Sequence, residues 1–126
     1  MSRSVLIVDD EQHIRLLIEQ TLEELLDEGV ELYTASDGDE ALAAIEAQSP
    51  DLVFLDVMMP RRNGLQVARA VREEMGKADT HIVLLTAKGQ AVDRGAGLAA
   101  GANRYLTKPF DPDELLAIAR EVLGEA

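Results

Sequence analysis

Apolar residues in this chain follow two rhythms. Short unbroken runs occur at Val5 to Val8, Leu52 to Leu55 and Ile82 to Leu85, each bounded by polar or turn-forming residues. Such runs read as strands buried on both faces of a sheet. Two further strands are predicted at Val30 to Ala35, half-polar and suited to a sheet edge, and at Asn103 to Leu106. Between the runs, apolar residues recur every three or four positions, the period of an amphipathic helix. The first predicted helix covers roughly 11–28, with Ile14, Leu17, Ile18, Leu22 and Leu25 inward and Gly29 as its stop. Asp37 with Glu40 forms a capping-box pattern ahead of Ala41, Leu42 and Ile45, and that helix ends at Ser49 and Pro50. A third helix is expected over about 64–75, ending near Gly76. A fourth, about 90–99, is weakened by Gly95 and Gly97, each costing ~1 kcal/mol against alanine. The last helix has Asp111 as N-cap, Pro112 at its first position and Glu114 in its first turn. Leu115, Ile118, Ala119 and Val122 make its buried face.

Five strands alternating with five helices imply parallel strands joined by right-handed crossovers. The expected fold is α/β: one doubly wound five-stranded parallel sheet, as a single domain over residues 1–126.

Parallel strands bring their carboxyl ends to one edge, where ligands of open α/β sheets bind. Four of the five predicted strands end on reactive side chains: Asp9 and Asp10, Asp56, Thr86, and Lys108. Each has a blander reading alone. Acids before a helix suit its dipole, an Asp or Thr can simply close a strand, and most lysines are solvated. Together they place three carboxylates, a hydroxyl and an ammonium on one rim. Crowded carboxylates repel, and a hard divalent cation relieves the repulsion. Asp56, Asp10 and one backbone carbonyl from the loop after Asp56 would suffice for magnesium, while Lys108 suits a phosphoryl oxygen.

Composition narrows the partners. The net charge of −12 argues against direct nucleic-acid binding, which needs a basic stripe. With two Phe, two Tyr and no Trp, a base-stacking platform is not expected either. The absence of cysteine excludes disulfides and thiolate metal sites. No apolar run approaches the ~18 residues of a membrane span, and the short polar start is unlike a secretory signal. The expectation is a cytoplasmic protein with no membrane association.

The acidic pair Asp9-Asp10, Asp56, the loop Met59-Pro60 to Asn63-Gly64, Thr86-Ala87 and Lys108-Pro109-Phe110 together resemble a response regulator receiver domain, over essentially the whole chain. One departure is that Asn63-Gly64 stands where the family often has Asp-Gly. The resemblance implies a flavodoxin-like sheet of order 2-1-3-4-5. It implies that Asp56 is a phosphoacceptor for a sensor histidine kinase or phosphotransfer protein. Magnesium would be held by Asp10 and Asp56 directly, by Asp9 through water and by the Met58 carbonyl. Lys108 would pair with a phosphoryl oxygen, and Thr86 would sense the phosphate. Tyr105, expected at the surface beforehand, would then turn inward. The effector would bind the face of the fourth helix, fifth strand and fifth helix. The resemblance also points to a cis Lys108–Pro109 bond, and makes the protein a signalling domain that catalyses only its own phosphorylation and dephosphorylation.

Two rivals fit less well. A haloacid dehalogenase-type phosphatase resembles others of its kind in a second Asp two residues after the nucleophile; here that residue is Met58, which transfers no proton. A flavin module would need a Ser/Thr/Gly-rich loop after the first strand to hold phosphate, where this chain has Asp9, Asp10 and Glu11. Met58 and Lys88 are the positions that, by the resemblance, flank the hydrolytic water, and neither aligns it well. Slow self-dephosphorylation is therefore expected.

Overall fold

The computed structural model describes residues 3–87 and 94–124. Five parallel strands form one sheet: β1 (Arg3–Val8), β2 (Val30–Ala35), β3 (Leu52–Asp56), β4 (His81–Ala87) and β5 (Arg104–Lys108), in spatial order β2-β1-β3-β4-β5. The flavodoxin-like order and the edge position of β2 agree with expectation. The helices are α1 (Gln12–Thr21), α2 (Glu23–Leu26), α3 (Gly38–Gln48), α4 (Gly64–Glu73), α5 (Arg94–Ala99) and α6 (Pro112–Leu123).

Six helices stand among the described residues where five were expected, because the segment 11–28 is not one helix. The chain leaves helical geometry at Leu22, with φ −95° and ψ 4°. One residue earlier, the Thr21 hydroxyl donates to the Leu17 carbonyl, one turn back, at 2.8 Å. Such back-bonding competes with the helix ladder and bends helices. The break still lets Ile18, Leu22 and Leu25 reach the core.

Alternation along the strands divides the core in two. Leu6, Val8, Val53 and Leu55 pack with Ile45, Val67 and Val71 on the α3–α4 side. Val5, Ile7, Leu52 and Phe54 pack with Ile18, Leu22, Leu115 and Ile118 on the other. Burying a side chain of this kind contributes about 1.5–3 kcal/mol, so both faces must stay covered and the register is fixed. The described part of the fourth predicted helix is Arg94–Ala99; its expected start, with Lys88, lies outside the described residues.

The caps differ in detail from the sequence reading. The Asp37 side chain accepts the Glu40 amide at 2.8 Å. The Glu40 carboxylate, however, turns to the Ser36 amide and hydroxyl instead of the Asp37 amide, so the box is open on one side. A complete capping box sits at α4, where Asn63 and Gln66 exchange side-chain-to-backbone bonds of 2.9 Å each. At α6 the Asp111 side chain accepts the Asp113 amide at 2.9 Å. No helix among the described residues is long and apolar enough to cross a membrane.

Candidate functional site

Strand register assembles the site. Val8 lies opposite Leu55, so Asp9 follows on beside Asp56. Asp56 lies opposite Leu85, which puts Thr86 one step beyond it. Thr86 pairs with Thr107, and Ala87 with Lys108. The three inner strands β1, β3 and β4 and the β5 edge thus deliver Asp9, Asp56, Thr86 and Lys108 to one rim. β4 runs on to Ala87, two residues past its expected end, so Thr86 lies within the strand and is 8% exposed.

Three carboxylates converge there. Asp9, Asp10 and Asp56 each place an oxygen within 4.8 Å of the others. Asp9 is fully buried and Asp56 4% exposed, whereas Asp10 is exposed. The Lys108 ammonium lies 2.7 Å from Asp9 Oδ2, 3.4 Å from Asp56 Oδ1 and 4.0 Å from Glu11 Oε1. The 2.7 Å contact is an ion pair without hydrogen-bond alignment, so buried Asp9 Oδ2 has no properly directed donor. Asp9 Oδ1 accepts the Glu11 amide at 3.0 Å, and Arg15 caps the Asp9 carbonyl at 2.6 Å. The Lys108–Pro109 bond is cis, as expected.

Electrostatics follow from this crowding. Burial, then the charge of Asp9, pushes Asp56 up to about 7; Lys108 pulls it back only in part, and a hydrogen bond with Asp10 raises it further. Burial alone would lower the Lys108 pKa, but the Asp9 contact and the charges of Asp56 and Asp9 outweigh it, and the net shift is upward. Among the described residues, one ammonium faces three carboxylates. The set fits a hard divalent cation on three counts: oxygen donors only, an under-satisfied buried carboxylate oxygen, and excess negative charge.

The loop after Asp56 is held tightly. The Gly64 amide donates to the Val57 carbonyl at 2.9 Å, and a Cβ on Gly64 would lie 2.5 Å from the Asp56 carbonyl oxygen. Only glycine permits that approach. Arg61 adopts φ 70°, a left-handed geometry costing a non-glycine residue about 1–2 kcal/mol. Ion pairs Arg61–Asp37 (3.6 Å) and Arg62–Asp39 (3.1 Å) tie the loop to the start of α3. Met58 is 60% exposed beside Asp56 in sequence, and backbone bonds among the described residues leave its carbonyl unused.

Tyr105 corrects one expectation. It is half-buried rather than at the surface, packed along the α3–α4 side of the core with its hydroxyl against Gly97. A side chain on Gly97 would strike that hydroxyl, which accounts for a glycine inside α5 despite its helix cost. The sequence reading also missed Glu11 as a competitor for Lys108, and the capping partner Gln66. The Asn63-x-x-Gln66 spacing was the available signal for the latter; no comparable signal marks Glu11, whose approach depends on where Lys108 reaches.

An open α/β sheet with acids and a lysine at its carboxyl rim defines a class of phosphate- and cation-handling folds. Comparison with known proteins is more specific. Residues 5–120 match the response regulator receiver domain, and the chain belongs to that family, the receivers of two-component signalling. It is 42% identical, over 98% of its length, to the alkaline phosphatase synthesis transcriptional regulatory protein PhoP of Bacillus subtilis (strain 168), and covers 49% of that protein. It therefore spans about half the length of the curated relatives it matches. Among solved structures, a putative response regulator from Chloroflexus aurantiacus J-10-fl superposes with a TM-score of 0.85 at 35% identity, covering 99% of this chain and 100% of that one. Chemotaxis protein CheY4 of Vibrio cholerae superposes at 0.83 with 37% identity, over 98% and 100% of the two chains.

Proposed function

We propose that this receiver, as a single cytoplasmic domain, accepts a phosphoryl group from a sensor histidine kinase or phosphotransfer protein onto Asp56. The observation that carries the reading is a nearly buried Asp56 flanked by two more carboxylates and the Lys108 ammonium. In the transfer, an Asp56 carboxylate oxygen forms a bond to phosphorus as the phosphorus–nitrogen bond of phosphohistidine breaks. The electron pair leaves with the imidazole. Lys108 stays within reach of the phosphoryl oxygens and offsets their charge. Asp10, Asp56 and the Met58 carbonyl would hold Mg2+, with Asp9 acting through water. When bound, the cation supplies positive charge that offsets the carboxylate repulsion and the charge on the phosphoryl oxygens. The chain's own part is to position the oxygen nucleophile, exclude water from Asp9 and Asp56, and keep the ammonium in place.

Switching is assigned to Thr86 and Tyr105. The new phosphate offers acceptor oxygens one step along the rim from the Thr86 hydroxyl. Thr86 and Tyr105 occupy neighbouring strands, and Tyr105 lies under α5. Movement of Thr86 toward the phosphate alters the space available to Tyr105 and thereby the α5–β5–α6 face, where the effector docks. Incubation with a small phosphodonor and Mg2+, followed by mapping of the modified residue, tests the assignment. Label is expected on Asp56 alone; equal labelling of Asp56→Asn would overturn it.

A further inference from the structure

The outer edge of the sheet carries a groove that the phosphoacceptor site does not use. It lies between the edge strand β2 and the α1–α2 break, encloses about 570 Å3, and is lined by Leu16, Leu26, Leu32, Glu19 and Glu23 among others. Leu16 and Leu26 are 46% and 49% exposed, and Leu32 is half-buried. The break at Leu22 produces this arrangement: beyond it Leu25 enters the core and Leu26 is left outside. A second depression of about 460 Å3 shares Gln20, Glu23 and Leu26 with the first and adds Glu24 and Asp27, so the groove continues along α2.

Its charge is one-sided. Glu24 is already paired with Arg120 at 3.0 Å, and Arg15 is committed to the Asp9 carbonyl. Glu19 and Glu23 have no cationic partner among the described residues. Three leucines that would lose water on contact therefore sit beside two carboxylates left without counter-charges. Association of two copies through this face would bring like charges together in a chain of net charge −12.

We propose that this groove binds a basic amphipathic helix of a partner protein. Apolar residues three and four apart seat on Leu16, Leu26 and Leu32, and lysine or arginine side chains meet Glu19 and Glu23. This is the helix-in-groove mode, with leucines giving affinity and carboxylates giving orientation and on-rate. The binding does not depend on Asp56, which lies at the carboxyl rim.

The probe is a synthetic leucine–lysine peptide of about four helical turns with leucines three and four apart, titrated into the isotope-labelled chain and followed by amide NMR. A scrambled peptide of the same composition is the control. Shifts are expected to concentrate on α1, α2 and β2, with the ordered peptide at least tenfold tighter than the scramble. Leu16→Ser with Leu26→Ser should lose that tenfold, while Leu98→Ser, another exposed leucine, should not. Both groove leucines are exposed, and a melting curve checks that the variant folds. Equal binding of the scramble, or shifts spread over the whole acidic surface, would overturn the proposal in favour of charge alone. A self-dimer in sedimentation that the double variant abolishes would overturn it in favour of a second copy.

Discussion

The two edges of the sheet use their charges in opposite ways. At the amino edge, cations close bonds that hold elements together. Arg72 donates to the Gly101 carbonyl (3.0 Å), the Lys77 carbonyl (2.6 Å) and Asn103 Oδ1 (2.9 Å). Asn103 Oδ1 also accepts the Ile82 amide, so one side chain ties α4 to the starts of β4 and β5. Arg3 reaches the Leu123, Gly124 and Glu28 carbonyls, and Arg120 grips Glu28 with both nitrogens. His81 is the exception: its Nε2 is buried without a partner, and burial, then Arg104 and Arg72, lower its pKa and favour the neutral ring. At the carboxyl edge, carboxylates outnumber the one ammonium found there among the described residues, and two of them are buried. The first edge stabilises the fold by itself. The second, among the described residues, is left short of positive charge, and the proposed response to a cation and a phosphoryl group rests on that deficit.

Removing a tie at the amino edge should have the largest effect. Arg72→Ala takes this donor from the Gly101 and Lys77 carbonyls and leaves Asn103 Oδ1 with the Ile82 amide, and is expected to cost about 2–4 kcal/mol in denaturant unfolding, with phosphorylation at Asp56 retained. If stability is unchanged, the described division of labour between the edges fails. Next comes metal linkage at the other edge. A cation at about 100 times its dissociation constant should stabilise the native chain by about 2.7 kcal/mol. In Asp10→Ala most of that gain should vanish from thermal melts; an undiminished gain would place the metal elsewhere.

A smaller effect is expected from Thr86→Ala, which removes one hydrogen bond of about 1 kcal/mol. Full reversal of a two-state equilibrium takes about 5.5 kcal/mol. Phosphorylation should therefore proceed normally while its enhancement of effector binding is weakened but not lost. Undiminished enhancement would remove Thr86 from the switch. The smallest effect concerns phosphate lifetime. Met58 is exposed next to the site, and its thioether is only a weak acceptor for water. Met58→Asn should shorten the lifetime severalfold when loss of label is followed; an equal or longer lifetime would count against water alignment at this position.

The sequence made the carboxyl edge easier to read than the amino edge, for a physical reason. Strand-end residues in a parallel sheet reach the same rim whatever the connections do, so Asp9, Asp56, Thr86 and Lys108 could be grouped from spacing alone. The Arg72 clamp joins segments about 30 residues apart through side-chain reach, which no local pattern encodes. The helix break at Leu22 was hidden because Ile18, Leu22 and Leu25 keep helical spacing across it. The inward packing of Tyr105 depends on Gly97, which the sequence marked only as a weakness in a helix.

The central claim is that the carboxyl edge is held short of positive charge. Asp56 has its pKa raised from 3.8 to about 7 in the fold. A raised carboxyl binds its proton more tightly in the folded than in the unfolded chain. Its ionisation therefore destabilises the metal-free protein, fully above about pH 7 and progressively less as pH falls from 7 toward 4. The direct measurement is unfolding free energy from pH 5 to 8, with and without Mg2+, for the native chain and Asp56→Asn. Without metal at pH 8, Asp56→Asn should be the more stable by about 1–3 kcal/mol, a discounted conversion of the shift. That advantage should shrink toward pH 5, and Mg2+ should stabilise the native chain more than the variant. An Asp56→Asn protein less stable at pH 8 without metal, or gaining as much from Mg2+ as the native chain, would contradict the account.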